Sequence, residues 1–277
     1  MAAPNQKNEE SSFVHLHVHS SFSFEDGVTG IEALLERAGR LKMPALALTD
    51  HNTLAGGIPF MIQAKQMGIK PILGCELDPE EGGHLILLIK DWSGYQNICR
   101  LLTKTLTSSK EEPRVTRELL GEHSQGLIAL SGFRCGEISQ LVRNYHDDKA
   151  IAAVKFYREI FGDGFFLEVC RELRSGGETP LSRLIAFARQ AQVPLVATNA
   201  VHYLDPEDAA TAVLRKAIAK QVPLSNFLSN SSDRFLASNE AMVQLFKDLP
   251  EALVATGVIS DQCNLPGPQA AGNSKMA

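Results

Sequence analysis

The chain has 277 residues, 44% of them apolar, and a formal net charge of −5. That length suits one large or two modest domains, the apolar share excludes general disorder, and the charge argues against nonspecific nucleic-acid binding through a basic face. No apolar run approaches the about 20 residues of a membrane span, and the opening MAAPNQKNEESS lacks the apolar core of a signal peptide.

In chain order, residues 1–12 and 265–277 read as flexible tails. Between them, strands are predicted at 13–18, 45–49, 71–77, 84–90, 126–131, 165–169 and 194–198. Helices are predicted at 30–42, 54–67, 94–107, 136–144, 148–161, 179–191 and 206–220. The first helix opens on Thr29-x-x-Glu32, the pattern of a capping box. The second stops at Gly68, in the position of a C′ glycine.

Seven strands with helices between them predict a closed or nearly closed α/β barrel over 13–205, followed by a helical extension over 206–264. One junction differs. Strands 71–77 and 84–90 are separated only by Asp78-Pro-Glu-Glu-Gly-Gly83, too short for a helical crossover. They are expected to form a hairpin, which makes the barrel irregular. The cysteines (Cys75, Cys99, Cys135, Cys170 and Cys263) are scattered without a CxxC, which predicts reduced thiols and a cytoplasmic location.

His15, His17 and His19 occupy alternate positions of the first strand, so a regular strand aims three imidazoles the same way. Imidazole is the commonest protein metal ligand. Further polar groups sit at strand ends: Asp26 after the first strand, Asp50 and His51 after the second, Glu76 at the end of the third. The hairpin brings His84 to the same rim, and the last strand runs on to His202. In an α/β barrel that rim is the functional face. His123 and His146 fall elsewhere. Buried imidazoles and carboxylates cost several kcal/mol of desolvation unless paired or metal-bound, so their convergence predicts a metal site.

Phe13-Val-His-Leu-His-Val-His-Ser20, Phe24-Glu-Asp-Gly27, Ala45-Leu-Ala-Leu-Thr-Asp-His51, Gly68-Ile-Lys-Pro-Ile-Leu-Gly-Cys-Glu76 and Val196-Ala-Thr-Asn-Ala-Val-His-Tyr203 resemble the motifs of PHP (polymerase and histidinol phosphatase) domains. His84-Leu-Ile-Leu-Leu-Ile-Lys90 and Gly126-Leu-Ile-Ala-Leu-Ser-Gly132 are similar to the polymerase branch, the N-terminal domain of bacterial DNA polymerase III alpha subunits and error-prone polymerases. The resemblance implies a distorted seven-stranded barrel with one to three divalent ions, Zn, Mn or Fe. It implies one ion at His17, His19, Glu76 and an Asp of the last-strand motif. A second would share Glu76 and add His84 and a Cys. A third would take Asp26, His51 and His202. Asp50, His51 and Glu76 are the implied catalytic residues, with Asp50 orienting a ligand.

Two implied ligands are absent. Ala200 stands where the family pattern has Asp, and Phe133 where it has Cys. Cys135, two residues beyond Phe133, is the candidate substitute. The palm carboxylates of a polymerase, expected several hundred residues further on, do not occur within these 277 residues; the chain is expected to be either an excised domain or a free-standing relative. Three readings stay open at this level. One is a metal-dependent phosphoesterase acting on phosphodiester or phosphomonoester substrates such as DNA 3′ ends, with Arg134 or Lys90 as candidate phosphate contacts. Another is a non-catalytic scaffold docking replication proteins, and the last a small-molecule phosphatase.

Overall fold

Alternate residues of six short strands face two different cores, and that division builds the molecule. The computed structural model describes residues 13–24, 27–108, 113–171, 179–224 and 233–267. The predicted tail at 1–12, residues 268–277 of the predicted tail at 265–277, and Asp26 lie outside the described residues.

Helix α1 (Ile31–Arg40) leads to β1 (Ala45–Leu48) and α2 (Gly57–Gln66) to β2 (Lys70–Leu77). Strand β3 (Leu85–Ile89) is followed by α3 (Trp92–Ser108) and α4 (Arg117–Glu122), and β4 (Leu127–Leu130) by α5 (Glu137–Arg143) and α6 (Asp147–Phe161). Strand β5 (Phe165–Cys170) precedes α7 (Thr179–Gln190); β6 (Leu195–Thr198) precedes α8 (Ala209–Lys220), α9 (Asn239–Leu245) and α10 (Pro250–Gln262). No described helix is long and apolar enough to cross a membrane.

The strands form one sheet in the order β1-β2-β3-β4-β5-β6. Only β3 runs against its neighbours; the other pairs are parallel. The hairpin expected from the six-residue connection is present, with Leu77 opposite Leu85. Leu46, Leu48, Leu73, Leu87, Ala129, Leu167 and Ala197 point outward to the helices. Ala45, Ala47, Ile72, Ile86, Leu88, Ile128, Leu130, Phe166 and Val196 point inward, where Ala255, Ile259 and Cys263 of α10 join them. Helix α10 closes the end where β2 starts, since Lys70 Nζ donates to Ser260 O at 2.7 Å and Val14 N to Thr256 Oγ1 at 3.0 Å.

Two expectations are corrected. Among the described residues the sheet has six regular strands rather than seven: residues 13–18 make single bridges, His15 to Leu46 and Val18 to Val201. The segment still joins both sheet edges, because Ala47 N donates to His15 O on one side and His19 N to Val201 O on the other. It is kept out of regular pairing by a bend at His17. The capping box at Thr29 does not form either; Gly30 caps α1 without a side chain. Thr29 is held in the preceding loop instead, where its carbonyl accepts from Ser21 N at 2.7 Å.

Candidate metal centre

The bend at His17 decides which imidazoles meet. Val14 and Leu16 face the inner core and Val18 the outer one, so alternation breaks between Leu16 and His17. His17 and His19 therefore turn inward together, and His15 does not. His15 Nε2 lies 2.9 Å from the Ala237 carbonyl, and its ring packs edge-on against Phe13. The expectation of three imidazoles on one face is corrected to two, because the face rule holds only for an unbroken strand.

His17 Nδ1 donates to Glu168 Oε1 at 2.6 Å, since a carboxylate can only accept. Its Nε2 then points at Glu76 Oε2, 3.0 Å away. His19 is fixed by a second relay. Ser23 gives its one hydroxyl proton to Asp50 Oδ1 at 2.8 Å, so its oxygen accepts from His19 Nδ1 at 2.9 Å. That leaves His19 Nε2 facing His17 Nε2 at 3.0 Å. Three lone pairs thus converge, and a shared cation is what reconciles them, either a proton or a metal ion. His17, His19 and Glu76 offer ligand atoms within 4.8 Å of one another, in a fully buried setting. An imidazole held by a carboxylate on its far nitrogen is the usual support of a metal-binding histidine. The donor set fits a divalent ion.

A second, half-buried group adjoins it: His51, Asp78 and His84 also bring ligand atoms within 4.8 Å of one another. His51 Nε2 donates to Asp78 Oδ2 at 3.0 Å and His84 Nδ1 to Asp78 Oδ1 at 2.6 Å. Glu76 spans both groups, with Oε2 beside His17 and Oε1 3.5 Å from His84 Nδ1. Strand geometry explains the layout. Glu76 and Asp78 are two residues apart on one face, and His84 follows as the cross-strand neighbour one step beyond the Leu77–Leu85 pair.

The remaining predicted residues fall around these groups. Asp50 touches neither; it accepts from Ser20 N, Ser20 Oγ and Ser23 Oγ and so anchors the loop that orients His19. His202 lies against His19, ring centroids 4.4 Å apart, with its Nδ1 donating to the Ala200 carbonyl at 2.5 Å. His51 meets His84 edge-on, ring centroids 5.4 Å apart. Cys135 stands against His84, its thiol hydrogen-bonded to that ring. Two glycines permit this approach: a Cβ on Gly132 would fall 1.7 Å from His84 O, and one on Gly83 2.0 Å from Cys135 O. Asn199 turns away to donate to the Asp233 and Phe235 carbonyls. Arg134 is exposed and stacks over Phe133. Lys90 is corrected as a phosphate contact: β3 runs backwards, so Lys90 sits at the opposite end, its carbonyl accepting from Asn264 N at 2.7 Å.

Asp78, Glu168 and Ser23 join the site without belonging to any of the sequence motifs above. Asp78 carried a usable signal, being two residues after Glu76 on the same strand face. Glu168, inside the apolar run Phe165–Cys170, was visible as a charge in a buried strand. Ser23 had no such mark.

Charge follows this geometry. Burial opposes ionisation of Glu76, but the His19, His84 and His17 charges hold its carboxyl well below the usual range. Burial also disfavours charge on His17, yet Glu168 and Glu76 raise it to about 9. His84 is treated alike by burial and is raised to about 11 by Glu76, Asp78 and Cys135. The His84 hydrogen bond lowers the Cys135 thiol. Phe133 and Ala200, at the two positions of absent ligands, have left-handed backbones with φ 51° and 43°. Strained residues of this kind cluster at functional sites.

Comparison with known proteins places these residues in a family. The model of the PHP domain matches residues 15–172. The DNA polymerase III subunit alpha of Escherichia coli K12 is 36% identical over 267 residues, covering 92% of this chain and 23% of that protein. An error-prone DNA polymerase of Symbiobacterium thermophilum is 37% identical over 277 residues, covering 91% of this chain and 25% of that protein. The chain spans about a quarter of the length of these relatives. A lesion-specific endonuclease of Pyrococcus furiosus overlaps 69% of this chain and 48% of its own at a TM-score of 0.42 and 15% identity.

Proposed function

This chain belongs to the PHP domain family, homologous to a part of DNA polymerase III alpha subunits, and from that premise we propose that it is a metal-dependent phosphoesterase acting on phosphodiester ends of DNA. The observation that carries the reading is the convergence of His17 Nε2, His19 Nε2 and Glu76 Oε2 on one point, with the far nitrogen of each imidazole held by Glu168 or Ser23. A bound divalent ion supplies Lewis-acid polarisation of a phosphoryl oxygen and lowers the pKa of water. Glu168 and the Asp50–Ser23 pair hold His17 and His19 in the metal-binding tautomer, and Glu76 couples the buried group to the half-buried one. The side chains of His51 and His84 are 21% and 33% exposed against 4% and 1% for His17 and His19, so substrate reaches the His51–His84 side. Mixed nitrogen and oxygen donors suit Zn, Mn or Fe, with one to three ions per chain. We assign Asp50, His51 and Glu76 the supporting and catalytic roles, His202 and Asp26 a share in a further ion, and Cys135 the place of the absent thiolate. The setting proposed is the replication machinery of the cytoplasm, where the free cysteines stay reduced.

The test is metal content of protein purified without chelator or affinity metal, together with release of the terminal nucleotide from a 3′-labelled single-stranded oligonucleotide. Metal together with end cleavage that His19→Ala abolishes is the expected result. Protein without metal, or with unaltered cleavage in that variant, overturns the reading.

A scaffold role is the second reading, favoured by one observation: Ala200 and Phe133 place no donor atom at two positions where the family pattern has ligands. Under it, wild type is inert, and Ala200→Asp with Phe133→Cys creates cleavage. Activity already present in wild type excludes it.

A further inference from the structure

We propose that His51, Asp78 and His84 form a second divalent-cation site, with Asp78 as a carboxylate ligand that the family resemblance does not supply. This rests on the metal-dependent reading above and goes beyond it by regrouping the ligands. In the family pattern His51 and His84 belong to different ions; here they meet at one carboxylate. His51 Nε2 is 3.0 Å from one Asp78 oxygen and His84 Nδ1 2.6 Å from the other. The three ligand atoms lie within 4.8 Å of one another.

Each residue is brought there by a different constraint. Asp78 extends β2 past Leu77 and is held by its carbonyl, which accepts from Val115 N at 2.8 Å. His84 precedes β3 across the hairpin. His51 reaches the same edge from the β1 side through its bridge to Glu76. No thiolate stands at Phe133, and Asp78 supplies a carboxylate donor beside His84, in addition to the neighbouring Cys135 thiol. Two nitrogens and a carboxylate, half-exposed, match an exchangeable site with three protein ligands and an open position.

The same contacts also describe a His–Asp–His ion triad, and metal uptake tells the two apart. Full-length protein stripped with chelator is titrated with Co2+, reading bound equivalents by elemental analysis and ligand-field absorption by visible spectroscopy. Wild type is expected to bind two equivalents, Asp78→Asn one, and His17→Ala one. In His17→Ala the remaining ion keeps the spectrum that Asp78→Asn loses. Two equivalents retained at wild-type affinity in Asp78→Asn, with its spectrum unchanged, overturn the Asp78 site and leave the metal-dependent reading standing. No cobalt bound by wild type overturns both. Asp78→Glu, which keeps the charge and the oxygen donors, is expected to recover most of the second equivalent, whereas a misfolded Asp78→Asn is recognised by loss of both ions together.

Discussion

Glu168 Oε1 lies 2.6 Å from His17 Nδ1, completely buried, and also accepts the Thr198 hydroxyl. Its second oxygen, Oε2, has no hydrogen-bond partner among the described residues. A buried carboxylate with an idle oxygen is costly, so its retention points to the work it does on His17. Holding Nδ1–H directs the Nε2 lone pair toward Glu76 and His19. Glu168→Gln is expected to weaken the tightest metal about 10–100-fold, measured by competition against a chelator of known affinity. Unchanged affinity would show that packing alone orients the ring.

Metal loading is expected to release protons. With no metal bound, burial disfavours the imidazolium at His17 and His84, but neighbouring carboxylates raise them to about 9 and about 11. Both are therefore charged at pH 8, and filling both groups displaces about two protons per chain. Calorimetric titration in buffers of different ionisation enthalpy measures this directly. Affinity should climb as pH rises toward 9, where His17 gives up its proton unaided. The stability of chelated protein should move the other way. A raised histidine pKa contributes stability that is complete below its unfolded value of 6.5 and is lost as pH rises through the folded value.

His15 responds to pH with the opposite sign. Burial lowers its pKa to about 4, and the Ala237 carbonyl offsets only part of that. Its neutral form is favoured in the fold, so stability is complete above 6.5 and is lost as pH falls from 6.5 to about 4. The loss over that interval is roughly 3 kcal/mol. Urea unfolding of wild type and His15→Gln at neutral pH and at the acid end should show the acid-side decline reduced in the variant, because Gln does not titrate and still donates to Ala237.

The α10 helix is expected to contribute to the stability of the site from the far end of the sheet. Thr256 Oγ1 accepts from Val14 N at 3.0 Å and donates to the Leu253 carbonyl at 2.7 Å, fully buried. Thr256→Val leaves the Val14 amide without its acceptor at nearly unchanged volume. A loss of roughly 1–3 kcal/mol is expected, read as a fall in thermal midpoint. A variant as stable as wild type would mean that Val14 finds another acceptor.

What could be read from the sequence was whatever local pattern controls. The strand-helix alternation, the hairpin forced by six residues between two strands, and the polar residues at strand ends are short-range properties. They were enough to bring His17, His19, Glu76 and His84 to one rim. Tertiary structure decided the grouping. The bend that sends His15 to Ala237 while turning His17 inward lies in one segment that bonds to both sheet edges, 31 residues away at Leu46 on one side and 183 away at Val201 on the other. Likewise Glu168 reaches His17 across 151 residues of chain, and Asp78 meets His51 across 27. Such pairings depend on strand register and sheet closure, which alternation within one segment does not encode.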